Sequence, residues 1–244
     1  MGRFEGRVVL ITGSSSGIGE ATARAFDAEG ASVVVNSSSS LEAGKNVAAS
    51  LAGAIYVQGD VSDAAACERL VNEAVDRFGR LDVLVNNAGV TEVIPHHDLE
   101  AVTDDIFRRI LEVNVLGTFR LTKLALPHLR ATGNGAVVNV TSVAGVRPTG
   151  SSVPYAVSKA ALNHMTALLG KVAGPEVRVN AVAPGLVRTP WTADWEPVHE
   201  AMKTMTPLAR SGEPSDIAPT VVDVAAAPYM TGQVVVVDGG LSLA

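Results

Sequence analysis

Seven short runs of apolar, mostly β-branched residues recur along the chain, at 7–12, 32–36, 54–58, 81–86, 135–141, 177–182 and 233–238. In "RVVLIT" and "QVVVVD" consecutive positions are apolar, not alternate ones. Such strands have both faces covered. Between them, 19–30, 64–78 and 155–170 place Ala, Leu and Val at the 3.6-residue period of an amphipathic helix. Gly30 and Gly79 stand where two of these helices should stop. A further helix is predicted from about Leu41, with Ser40 as its N-cap. Strand and helix alternate through most of the chain, which predicts an α/β fold: a doubly wound parallel sheet with helices on both faces. Two stretches break the alternation, 91–100 and 188–216. Both are long, contain prolines and fit no strand, so they are predicted to be lid or binding loops. With no linker and no fixed-period repeat, residues 1–244 are expected to form one domain, with a substrate loop at about 188–213.

Composition narrows the function. The chain has 244 residues, 47% of them hydrophobic, and a formal net charge of -6 without a Lys/Arg run. That charge disfavours a nucleic-acid partner. No apolar stretch approaches the ~18 residues of a membrane helix, so no membrane partner is expected. The first residues enter a strand-like run directly, without an apolar leader and cleavage site, which predicts a cytoplasmic protein. The single cysteine, Cys67, can form neither an internal disulfide nor a cysteine-rich metal site. His96, His97 and His199 show no metal-ligand spacing, and no metal is expected.

The candidate chemistry lies at the predicted strand ends. "ITGSSSGIGEATA" (11–23) follows the first strand and opens the first helix. Gly13, Gly17 and Gly19 allow a tight turn and close approach of backbone to a ligand. The free amides of the helix start suit a pyrophosphate. Tyr155 and Lys159 are four residues apart and share one helix face. An ammonium there favours the phenolate and should lower the Tyr155 pKa. Ser142 ends the fifth strand, where its hydroxyl could hold a carbonyl oxygen while Tyr155 protonates it. "NNAG" (86–89) ends the fourth strand, Asn114 sits in a helical segment, Asp60 and Val61 follow the third strand, and Pro184-Gly185 ends the sixth.

With these motifs in order, the sequence resembles the short-chain dehydrogenase/reductase family, in the branch of the 3-oxoacyl-carrier-protein reductases. The resemblance runs from "ITGSSSGIG" to "VVVVDGG". It implies one Rossmann-type sheet of seven strands in the order 3-2-1-4-5-6-7, a nicotinamide cofactor, and interconversion of an alcohol and a ketone as the small-molecule substrate. By resemblance, Tyr155 is the acid/base and Ser142 orients the substrate oxygen. Lys159 binds the nicotinamide ribose and tunes Tyr155. Asn114 holds a water that relays protons. Ser15, Ser16 and Ile18 complete the glycine loop. Asn87, Ala88 and Gly89 line the ribose side, Asp60 and Val61 the adenine, and Pro184, Gly185, Val187 and Thr189 the nicotinamide.

The end of the second strand bears on the cofactor. Dinucleotide folds that take NAD place an acidic residue about 20 positions past the glycine loop. Here "VVVNSSSS" puts Asn36, Ser37 and Ser38 there, and no Asp or Glu before Glu42. A carboxylate would repel a 2′-phosphate and these groups would not. NADP(H) is therefore favoured, with NAD(H) the alternative. Trp191, Trp195, Met202 and Met205 are candidates for an apolar cover, Val93, Ile94, Val143 and Val146 for a wall. Arg147 either steers an anionic substrate or faces solvent. The family resemblance implies a homotetramer. A shortened 216–233 segment with Asp223 in place of an apolar residue weakens one of the two expected interfaces and leaves a dimer as the alternative. Rival readings are an NAD-dependent alcohol, sugar or steroid dehydrogenase and a non-catalytic cofactor-binding regulator on the same fold.

Overall fold

The strands form where the sequence is apolar on both parities. The computed structural model describes residues 2–243. It contains β1 (Val8–Ile11), β2 (Ser32–Ser37), β3 (Ala54–Gln58), β4 (Val83–Asn86), β5 (Gly135–Val140), β6 (Val177–Pro184) and β7 (Val234–Val237). All pairings are parallel, in the order β3-β2-β1-β4-β5-β6-β7. The helices are α1 (Gly17–Ala28), α2 (Leu41–Ala49), α3 (Ala64–Phe78), α4 (Asp104–Leu111), α5 (Thr118–Ala131), α6 (Val153–Ala173), α7 (Glu196–Met205) and α8 (Pro214–Ala226).

The two parities of each strand feed two cores. Val9, Ile11, Val33, Val35 and Val85 pack with Phe26 of α1 and Ile217 and Val221 of α8. Their neighbours Val8, Leu10, Val34 and Leu84 pack with Leu70 of α3 and Leu121 and Leu129 of α5. Each fully buried side chain of this size stabilises the fold by roughly 1.5–3 kcal/mol.

Capping explains several boundaries. Asp63 accepts the amides of Ala65 and Ala66 at the start of α3, and Gly79 ends that helix with φ 77°. Ser152 accepts the Tyr155 amide and Pro154 sits in the first turn of α6, so the start of the helix that carries Tyr155 is fixed locally. Ser40 occupies the N-cap position of α2, yet its side chain accepts no amide, contrary to the sequence expectation.

A second correction concerns 188–216. This segment holds a 3₁₀ turn at Pro190–Thr192, all of α7 and the first residues of α8. Most of its prolines mark helix starts: Pro190, Pro197 and Pro214 occupy first turns, where a missing N–H costs nothing. The stretch 91–100 carries neither helix nor strand. Between α4 and α5 the helix passes through a π turn, Glu112–Gly117, that the sequence did not announce.

Candidate active site

β1 pairs with β2 on one side and β4 on the other, so the chain leaves the sheet in opposite directions at this point. Ligands bind at such a switch point, beyond the carboxyl ends of the strands. A cleft of about 940 Å³ opens there. The loops after six strands line it, at Gly13, Ser38, Gly59, Asn87, Ser142 and Gly185. Among the positions singled out from sequence, Ser15, Ser16, Gly17, Ile18, Asn36, Ser37, Asp60, Val61, Ala88 and Gly89 also line it, as do Tyr155, Lys159, Pro184, Val187 and Thr189. Gly19 and Asn114 lie behind the surface.

The glycine loop is tied down from below. Gly13 has φ 62°, and a Cβ there would stand 3.0 Å from the Ala88 Cα. A side chain on Gly19 would strike the Gly13 carbonyl oxygen. Asn87 Nδ2 donates to the carbonyls of Thr12 and Gly13, both at 2.9 Å. The Thr12 hydroxyl accepts the amides of Asn87 and Ala88, both at 3.0 Å. Thr12 was not among the sequence candidates: a threonine ending a strand carries no signal of its own. The side chain of Ser16, at the N-cap of α1, accepts no amide, which leaves the donors of this helix start aimed into the cleft. That polarity fits a pyrophosphate.

Asn36 is placed differently from the expectation. It is 1% exposed. Its Nδ2 donates to the carbonyls of Val57 (3.1 Å) and Gly59 (3.0 Å), and its Oδ1 accepts the Gly13 amide at 3.3 Å. Its side-chain amide is thus committed to joining β2, β3 and the glycine loop. Ser37 is buried as well, its hydroxyl 2.8 Å from that of Tyr56. Ser38 and the uncapped start of α2 at Ser40 remain open to the cleft.

At the other end, Ser142 follows β5 and caps a 3₁₀ turn, accepting the Ala144 amide at 3.1 Å. Tyr155 and Lys159 project from α6, with the ammonium 5.6 Å from the centre of the phenol ring. Lys159 Nζ donates to the Val140 carbonyl at 3.0 Å. Burial pushes the Tyr155 phenol up to about 12, while the Ser142 hydroxyl pulls it the other way. Burial pulls Lys159 down to about 8. The sequence expectation that Lys159 lowers the Tyr155 pKa therefore meets the opposite net sign: burial raises it by more than the Ser142 hydroxyl lowers it.

Asn114 is wholly buried in the π turn. Its Oδ1 accepts the Val90 amide (2.8 Å), and its Nδ2 donates to the Val90 carbonyl (3.0 Å) and the Ser158 hydroxyl (2.9 Å). Ser158 in turn donates to the Tyr155 carbonyl at 2.7 Å. The side chain is engaged throughout, while the main-chain carbonyl accepts the Thr118 hydroxyl at 2.9 Å. π turns are frequent at functional sites, and this one sets Asn114 beside the helix that carries Tyr155.

The outer wall is apolar. Trp191 meets the Tyr155 ring edge to face, with centroids 6.1 Å apart and planes at 84°. Ile94, Trp195, Val198 and Met202 line the same end, whereas Met205 is not part of the lining. His199 is buried, with Nδ1 2.8 Å from the Ser211 hydroxyl and Nε2 3.1 Å from the Thr192 carbonyl, and so holds α7 to the segments on either side.

Known proteins resemble this chain along almost its whole length. A family model described as enoyl-(acyl carrier protein) reductase matches residues 13–242. A Streptomyces violaceoruber protein, named ketoacyl reductase 2 of the granaticin polyketide synthase, is 54% identical over 242 residues, covering 98% of this chain and 97% of that one. A 3-oxoacyl-[acyl-carrier-protein] reductase of Thermotoga maritima is 38% identical over 98% of this chain and 99% of its own. Among solved structures, a glucose/ribitol-dehydrogenase-type short-chain dehydrogenase/reductase from Brucella melitensis superposes with a TM-score of 0.92 at 34% identity, covering 99% of both chains. The chain belongs to the short-chain dehydrogenase/reductase family, and it is a nicotinamide-dependent oxidoreductase acting on CH–OH groups and the corresponding ketones.

Proposed function

We propose that the protein is an NADPH-dependent ketoreductase whose substrate is a 3-oxoacyl thioester or a ketone derived from one. The observation that carries this reading is the convergence of Ser142, Tyr155 and Lys159 at one end of a cleft whose other end is lined by serines and free helix-terminal amides. The ketoacyl reductase named for the granaticin polyketide synthase supports the substrate class.

The cofactor reading now rests on other groups than Asn36. Ser38, Ser40 and the start of α2 offer hydroxyls and amides for a 2′-phosphate, and no carboxylate stands among residues 36–40. One observation favours the NAD(H)-dependent dehydrogenase as second reading: among the described residues that line the cleft, the only Lys or Arg is Lys159, at the opposite end.

The nicotinamide supplies the hydride when bound. The chain supplies the rest. Ser142 and Tyr155 donate hydrogen bonds to the substrate oxygen as negative charge grows on it. Tyr155 is neutral at physiological pH and transfers its proton to that oxygen. Lys159, held by the Val140 carbonyl, faces the phenolate left behind and favours it. A water near Asn114 would relay the proton that Tyr155 regains. Trp191 and the lid residues keep bulk water from the reacting oxygen.

Oligomerisation by the faces of α5 and α6 belongs to the same proposal. Phe119, Val157, Leu168 and Val172 stand exposed there, a dimer surface independent of Asp223. Asp223 itself faces solvent and pairs with Arg3 at 2.7 Å.

The test follows NADPH and NADH consumption side by side with acetoacetyl-coenzyme A as the ketone. Faster ketone-dependent loss of NADPH is expected. A preference for NADH moves the second reading to the front, and no loss of either reduced cofactor overturns the ketoreductase assignment.

A further inference from the structure

Arg147 neither meets a substrate charge nor points idly to solvent. Its Nε and Nη2 both donate to the Ser242 carbonyl, at 3.1 and 2.8 Å, across 95 residues of sequence. We infer that Arg147 is a positioning residue that latches the turn after β7 onto the substrate end of the cleft, and that Leu241 on this turn is a specificity-determining wall for the ketone's larger substituent.

The turn is built for that place. Gly239 and Gly240 have φ 65° and 88°, which turns the chain back at the end of the last strand. Asp238 then accepts the amides of Gly240 (2.8 Å) and Ser242 (2.7 Å), closing the 3₁₀ turn Leu241–Leu243. The turn touches all three segments that frame the substrate. Arg147 comes from the loop that begins at Ser142. Asp238 packs on Gly185, where a Cβ would stand 2.9 Å from the Asp238 Cα. The Leu208 amide, beyond α7, donates to the Gly239 carbonyl at 3.1 Å. Within this frame Leu241 lines the cleft, half-buried, at the end where Trp191, Pro148 and Met202 also reach it.

An apolar side chain fixed at this end distinguishes ketones by bulk. A methylene or two in such a pocket changes relative rates by about 10–200-fold. Among the described residues Arg147 has no carboxylate partner. Its planar fork suits one carbonyl approached by two donors, which a lysine reproduces only in part.

The inference rests on the carbonyl reading only for placing the substrate oxygen at Tyr155. Propiophenone and 2-butanone serve as bulky and small probes with the full chain and NADPH. In Leu241→Ala the ratio of kcat/KM for propiophenone over 2-butanone should fall about tenfold. In Arg147→Ala it should fall in the same direction, through KM and not kcat, and Arg147→Lys should recover part of the loss. Hydrogen exchange in residues 239–243 should quicken in Arg147→Ala while the thermal midpoint stays close to the parent's. Ratios within twofold of the parent in both variants, or unchanged exchange in Arg147→Ala, overturn the inference. If the parent reduces neither ketone, the carbonyl reading fails first. The latch is then decided by exchange and by calorimetric binding of propiophenone to the NADPH complex: unchanged values in the variants sink it.

Discussion

The two ends of the cleft are built on opposite plans. At the dinucleotide end the side chains serve the backbone: Asn36, Asn87 and Thr12 each hold main-chain groups in place, and the surface they shape is mostly glycine and amide. At the substrate end the backbone serves the side chains. Trp191 is 46% exposed and Val93 62%, while His199 ties α7 to its flanking segments and Arg147 holds the turn that carries Leu241. The first plan recognises a ligand by geometry that few substitutions improve. The second leaves the shape of the pocket to residues that change without disturbing the sheet.

The comparison is broken or sharpened by variants at each end. Tyr155→Phe has the largest effect: kcat should fall by about 10²–10⁴-fold while fluorescence titration shows cofactor affinity within a few-fold of the parent. Asn36→Asp tests the dinucleotide end. It should not convert the protein to NADH. A carboxylate facing the Val57 and Gly59 carbonyls should cost roughly 2–4 kcal/mol in urea unfolding and weaken both cofactors together. Normal stability in Asn36→Asp, together with a preference for NADH, would refute the clasp.

Lys159→Met addresses the junction of the two ends through pH. Lys159 titrates near 8 in the fold against 10.5 unfolded, so between these values the unfolded chain binds more protons. The cost of its buried charge is present below about pH 8 and is relieved as pH rises toward 10.5. Tyr155, raised to about 12, works the other way, its contribution being lost only above about pH 10. Stability of the parent should therefore rise from pH 8 to 10, by on the order of 2 kcal/mol. In Lys159→Met that rise should vanish, and turnover with it. His199→Leu should cost about 1–3 kcal/mol and raise KM more than it lowers kcat, because it leaves the buried Ser211 hydroxyl without its partner and frees α7. Arg3→Ala, which loses exposed pairs with Glu29 and Asp223, should leave the urea midpoint close to the parent's and both ends of the cleft as they are.

The strands were legible because each is apolar on both parities, and the glycine loop because only glycine suits the contact of Gly19 with Gly13. Tyr155 and Lys159 were legible from a spacing of four on a strong helix. Three features were hidden for a common reason: they depend on partners remote in sequence. The π turn is held by hydrogen bonds between Asn114 and Val90. The commitment of Asn36 depends on two carbonyls at the end of β3. The Arg147 latch needs Ser242. α7 was hidden differently, because Pro190, Trp191 and Trp195 before it and Pro197 in its first turn look like loop until one sees that only His199 and Met202 face inward.

The double-sided apolarity of the strands carries a consequence for how the chain reaches this state. A strand with one wet face cannot slip by a residue without exposing its core side, but a strand such as "VVVV" at β7 or "VVLI" at β1 can. Hydrophobic pattern therefore leaves the sheet's alignment nearly degenerate, and the polar residues at the strand ends must break the tie. Asn86 and Asn139 stand opposite each other across β4 and β5, joined at 2.9 Å, and Asn36 reads the position of β3 through two carbonyls. A slip by one residue would bury these amides without partners. The asparagines around the ligand cleft are thus also the chain's proofreading marks: they turn a sticky collapse of valines into one sheet, and a mutation there should show first as slow, heterogeneous refolding.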